Sequence, residues 1–147
     1  MPAPGRGVAD SAELHHQELT LFLFLHLSRT PGVLWPDHEH PACRPLPRAT
    51  DIGLLADGLT RLTGRTAHTV HNTGTGHHVR SEPTVAHTVV HQVAGSGNWY
   101  ASSTATGSAP AAFHYRLRSG EVLYIPPHHV WGTDLSPASQ YLVTTIA

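Results

Sequence analysis

The 147-residue chain contains no lysine. Its nine basic side chains are all arginine, and against ten Asp and Glu they leave a formal net charge of −1 with the histidines neutral. That balance excludes a strongly basic protein, so neither nucleic acid nor a membrane surface is an expected partner. Cysteine is nearly absent. Cys43 stands alone, which excludes an internal disulfide and a thiolate zinc cluster. Sitting in a proline-rich stretch with no His-Asp pattern beside it, Cys43 reads as a structural residue rather than a reactive thiol. Long apolar runs are lacking too. The longest, 19–27, is interrupted by Thr20 and His26 and is too short to span a bilayer. Glu13 and Glu18 precede it and residues 28–31 offer no small-x-small cleavage site, so an intracellular, cytoplasmic protein is expected.

Present instead are 14 His, 13 Gly and 12 Pro in a chain that is 39% hydrophobic and 13% charged. This is the composition of a turn-rich globular domain, without the charge excess of a disordered one. A domain of this length buries roughly 70% of the surface its unfolded chain exposes, enough for one real core. Fourteen histidines suit metal binding, proton transfer or mere composition, and only their positions separate these readings.

Asp10 followed by Glu13 reads as a helix entry, a short acceptor with a carboxylate three residues on. Beyond it, Leu19, Leu21, Leu23, Leu25 and Leu27 recur with period two, which suits a strand, although Leu and Glu also favour helix. A strand buried on both faces is the preferred expectation, ended by Thr30-Pro31-Gly32. Five prolines between residues 31 and 50 predict an irregular connector. Its Asp37-His38-Glu39-His40 run has the residue types of a metal site, but neighbours in extended chain point apart, so a solvated polar loop is expected. Asp51 opens an amphipathic helix with Ile52, Leu54, Leu55, Leu59 and Leu62, closed by Gly64.

After Gly64 the chain turns to β. Stretches 67–72, 84–93, 99–102, 113–117, 122–125 and 141–146 are rich in Val, Thr, Tyr and Ile and are separated by Gly, Ser and Asn turns. Gly95-Ser96-Gly97-Asn98 has the make-up of a hairpin loop. Six short strands in about eighty residues, without a βαβ pattern, predict an antiparallel sandwich or small barrel.

The stretch Gly120-Glu121-Val122-Leu123-Tyr124-Ile125-Pro126-Pro127 resembles the cupin superfamily, in its JmjC-like branch, where Gly-Asp-x-Leu-Tyr-hydrophobic-Pro precedes the last metal-binding His. Upstream, residues 89–99 resemble that branch's strand, glycine-containing hairpin and following Trp, and the helix from Asp51 running into Thr73-Gly74-Thr75-Gly76 resembles its approach to the site. The resemblance covers about residues 51–147. It implies a mainly all-β fold, a double-stranded β-helix or cupin-like small barrel with N-terminal helical decoration. The division that follows is an N-terminal extension, 1–50, and a barrel domain, 51–147.

In the cupin frame from Gly76, Glu82 and Thr84 stand where two histidines belong, Thr88 at the carboxylate and Gly95 at the closing glycine. The frame from Gly120 places His128 at a glycine and Trp131 at the last histidine. The family's 2-oxoglutarate is also counted against, because its distal carboxylate is held by Lys or Arg and only Arg80, Arg116 or Arg118 could serve here.

Period two sends Thr88, Val90 and Gln92 into the barrel with Glu82 and Thr84, and His87, Val89 and His91 to the outer face, beneath a helix or at an interface. His71, on the incoming strand, takes the place of an inward Tyr of the branch. His71, Glu82 and either His128 or His129 then form a metal set of two imidazoles and one carboxylate, which suits a divalent ion such as Fe, Mn, Ni, Cu or Zn. Without metal, Glu82 and His129 would serve as base and acid. His77 and His78 precede the same loop and read as a turn within reach of the mouth. Thr84, Thr88, Tyr124 and Trp131 are the candidate substrate contacts, the last as a hydrophobic wall or stacking surface.

Three functions remain open at this point. One is a small cupin metalloenzyme, of oxygenase or hydroxylase type by the resemblance, acting on a small or peptide-like molecule. The second is a metal-independent isomerase, cyclase or lyase, and the third a non-catalytic cupin that binds a ligand or partner. Arginine without lysine, amid much Ala, Gly and Pro, is the composition of a high-GC bacterial source, where secondary metabolism is an expected home. Pairing as a homodimer is expected by analogy with small cupins.

Overall fold

The structure is a computed structural model, and it describes residues 6–27, 29–80, 85–104 and 112–147. Helix α1 spans Arg6–His26, and a short strand β1, Gly32–Leu34, lies in the connector that follows. Helix α2 is Ala49–Thr63. Then come β2, Ala67–Arg80, β3, His87–Ala94, β4, Ser96–Ser103, β5, Ala112–Arg118, β6, Val122–Ile125, and β7, His129–Ile146.

The region around 19–27 is helix, not strand. Its buried side chains, His15, His16, Leu19, Phe22 and Leu23, repeat at helical spacing. Leu21, Phe24 and Leu25, which a doubly buried strand would hide, are 64–81% exposed. Leucine's helix propensity therefore prevails over the period-two pattern. The helix also begins earlier than Asp10, at Arg6. Helix α2 closes as expected: Gly64 adopts φ 69° and its N–H bonds the Thr60 carbonyl.

All pairings in the seven-stranded sheet are antiparallel, in the order β1-β6-β3-β7-β4-β5, with β2 along the other edge of β7. β7 organises the fold because it is long enough to serve two wings. Its first part, His129 to Leu135, pairs β4, and its last, Gln140 to Ile146, pairs β3. Between them the strand bends at Ala138, with φ 58°. Gly95 lies at this corner with φ 70°, and a Cβ there would stand 2.6 Å from the Ser139 hydroxyl. Residues 95–98 are thus a corner between wings rather than a hairpin loop, because β3 and β4 each pair β7 and not one another.

The sheet has two apolar faces. On one, α1 and α2 pack Leu19, Leu23, Leu55 and Leu59 against Val89, Val93, Tyr124, Leu142 and Ile146. On the other, the inner face of the curl, lie Val90, Trp99, Leu117, Leu123, Ile125, Leu135 and Tyr141. A mainly β, cupin-like half-barrel with helical decoration is the result. Residues before 51 contribute both α1 and the edge strand β1, so they share the first core with the barrel strands. No helix among the described residues is long and apolar enough to cross a membrane.

Candidate functional site

Register decides which side chains share the inner face. Thr133, directly opposite Trp99 on β4, also pairs His78 of β2, and Trp131 pairs Ala101, while His129 pairs Ser103. Paired residues in antiparallel strands project to one side. His78, His129, Trp131 and Thr133 therefore occupy the inner face near the end where β2 leads into residues 81–84. Trp131 packs on Trp99 with ring centroids 5.2 Å apart. Thr88, 8% exposed, shares this face through its pairs Ile125 and Thr145.

His129 Nδ1 lies 3.0 Å from the Pro127 carbonyl oxygen. A carbonyl only accepts, so Nδ1 carries the proton and the neutral ring keeps its lone pair on Nε2. Its neighbour His128 is exposed, at φ 62°, and its carbonyl accepts from the Thr104 amide and hydroxyl at 2.9 Å each. Of the two, His129 is the one in register with the inner face.

Two other expectations are corrected. His71 pairs Leu142, whose side chain belongs to the helix-covered core, so His71 faces away from the barrel interior; its Nε2 lies 3.2 Å from Gln140 Oε1. Along β2 the inward positions are the even-numbered ones, which puts His68 and His78, both exposed, on that side, His68 opposite Thr145 and His78 opposite Thr133. Tyr124 is fully buried on the helix side, with its hydroxyl 2.7 Å from His87 Nδ1, and is out of a barrel ligand's reach. Glu82 and Thr84 lie outside the described residues. Cys43 is buried and its thiol is pushed up to about 12, chiefly by burial, which leaves it an unreactive thiol.

A second group of histidines gathers beneath α1. His15, His16, His40 and His91 are all 5% exposed or less, with ring centroids 5.2 Å apart for His15 and His91, 5.6 Å for His15 and His40, and 5.0 Å for His16 and His40. His91 lies under a helix, as its outward register implies. His40, in contrast, turns inward from a run expected to be solvated, while Asp37 and His38 donate their amides to the Glu18 carboxylate. Burial is the first cause lowering the pKa of all four rings, with His16 at about 4 and His40 at about 3. The adjacent His15-His16 pair was a usable signal had the region been read with helical period. Its meeting with His91, 76 residues on, was not.

No family model and no curated protein sequence matches the chain. Solved structures do. The ribosomal oxygenase YcfD from Escherichia coli, in complex with cobalt and succinic acid, aligns over 88% of this chain and 51% of its own at 14% identity, with a TM-score of 0.59. In complex with cobalt and 2-oxoglutarate it gives 14% identity, the same coverages and a TM-score of 0.58. This chain thus spans about half the length of that protein. At such identity the likeness shows the fold, which is of cupin type.

Proposed function

We propose that this chain is a small cupin-fold enzyme acting on a small or peptide-like molecule at the open end of the inner face. The observation that carries the reading is His129: a hydrogen bond to the Pro127 carbonyl orients the ring and leaves Nε2 with its lone pair, as in metal-ligating histidines and general bases. Glu82, two residues beyond β2, supplies the carboxylate, whereas His78, opposite Thr133, stands four residues along β7 from His129 and out of reach of a shared ion. The imidazole of His129 and this carboxylate are donors that suit a divalent metal, which when bound would supply Lewis acidity and open positions for substrate. Trp131, packed on Trp99, gives this face an apolar surface, and Thr88 offers a hydroxyl. Oxygenase or hydroxylase chemistry is the reaction class we assign, and bacterial secondary metabolism its setting.

Elemental analysis of protein purified without a His tag tests this. One equivalent of Fe, Mn, Ni, Cu or Zn that is lost in Glu82→Ala and in His129→Ala, yet retained in His91→Gln, is the expected result. Protein that neither carries nor takes up metal at this end overturns it and leaves the metal-independent acid-base reading, which uses the same Glu82 and His129.

A further inference from the structure

The buried histidines beneath α1 lie on the helix-covered face, apart from the inner face described above. Among the described residues these four imidazoles make no hydrogen bond to a carboxylate or hydroxyl. His15 Nδ1 lies 2.7 Å from the His38 carbonyl oxygen and must carry the proton, so its Nε2 is a lone pair. His91 Nε2, 3.0 Å away, then donates to it, which leaves His91 Nδ1 a buried lone pair with no partner. His16 Nε2 is buried without a partner. His40 Nδ1 accepts the Ala42 amide at 3.0 Å, so its unpartnered Nε2 carries a proton. Three buried nitrogens left unpaired within one cluster are costly unless something completes them.

We propose that His15, His16, His40 and His91 form a binding site for one divalent transition-metal ion, probed as Zn²⁺, that ties α1 and the connector to β3. Imidazoles sharing one ion at zinc–nitrogen distances of about 2.0–2.1 Å have ring centroids about 5–6 Å apart; three pairs in the cluster stand at 5.0, 5.2 and 5.6 Å, and His15 and His16 at 6.2 Å. His15 already has half of the outer-shell arrangement of a zinc ligand, a ring N–H on a backbone carbonyl, and its far nitrogen, now held by His91 Nε2 at 3.0 Å, is the one that would meet the ion. Among the described residues no three donors yet surround one point. Closure requires the His16 and His40 rings to turn about their broad terminal torsion. His40 releases the Ala42 amide, His91 moves its proton to the unpartnered Nδ1, and no net proton is lost. A cavity of about 370 Å³ opens beside His16 and His40, and Glu13 and Asp57, with Arg61, line it. The carboxylates favour cation entry and offset the charge of an ion held by neutral ligands.

The test is zinc titration of the full-length, untagged, chelator-stripped protein at pH 7.5, read by calorimetry and thermal melting. One equivalent bound at this cluster with a rise in Tm is expected, beside any metal at the inner face and retained in His129→Ala, with cobalt substitution of His129→Ala giving the visible bands of a tetrahedral nitrogen site. His16→Gln and His40→Gln should each weaken zinc binding about 100-fold, more than outer-shell changes usually do. The exposed-histidine changes His68→Ala and His114→Ala should leave it intact. No stoichiometric zinc on the unaltered protein, zinc that leaves Tm unchanged, or zinc removed only by His129→Ala each overturns the proposal without relying on a variant that folds.

Discussion

Acid should loosen this fold through the histidine cluster, and the size of the effect follows from its burial. In the unfolded chain an imidazole titrates near 6.5, whereas His16 is lowered to about 4 and His40 to about 3 by loss of water around the ring. His15 and His91 are shifted the same way. Folded values below unfolded ones mean that the unfolded state takes up protons first, so stability is full above about pH 7 and declines as pH falls below 6.5. Each pKa unit is worth about 1.4 kcal/mol. A ring held at about 4 therefore subtracts roughly 2 kcal/mol between pH 7 and pH 5. His16 and His40 together reach roughly 4 kcal/mol, close to the lower end of an ordinary domain's stability, about 5–15 kcal/mol, and His15 and His91 add to it in the same direction. Once one ring does charge in the folded state, each further proton is opposed by those already bound. Urea unfolding of chelator-treated protein at pH 7.5, 6.5, 5.5 and 5 measures this, with an expected slope of at least about two protons near pH 5.5. His16→Gln and His40→Gln should each remove close to one proton from that slope. Stability flat within about 1 kcal/mol from pH 7 to pH 5 would refute the reasoning.

Two glycines make independent predictions. In α2, a Cβ at Gly58 would overlap the buried His16 ring. Gly58→Ala should thus destabilise by about 1–3 kcal/mol through overpacking, despite the roughly 1 kcal/mol that alanine gains in a helix. Adding His16→Ala should restore most of the loss in a double-mutant cycle, and a more stable Gly58→Ala would contradict the packing. Gly95→Ala combines a left-handed backbone with a contact 3.0 Å from the Ser139 Cα. Chemical denaturation should show a loss of at least about 1–2 kcal/mol, the cost of that backbone region alone.

Much of the architecture was legible because β-strands and capped helices carry local signals. Helix α2, its Gly64 stop and the cores of β2 to β6 follow from patterning within a few residues. The inward and outward alternation of β3 was equally legible, since Val90 and Val89 fall in the two separate cores. Residues 19–27 were not, because alternating leucines satisfy period two while helical spacing satisfies the same leucines in part. Only the partner surface, the sheet face carrying Val93 and Leu142, selects which leucines are buried.

The site divides the same way. That His129 or His128 delivers a nitrogen to the loop end is written in residues 126–129, whereas the choice of His129 depends on its pairing with Ser103. His71 and His78 are separated by strand parity, a fact fixed by the partner strand β7. Fourteen histidines beside a single cysteine determined by themselves that a cation site here cannot be a thiolate cluster and would draw on imidazole and carboxylate. Composition could not decide which histidines meet. His15, His40 and His91 come together because a helix, an irregular connector and a strand close over one face of the sheet, and such convergence is a property of tertiary packing that no local pattern encodes.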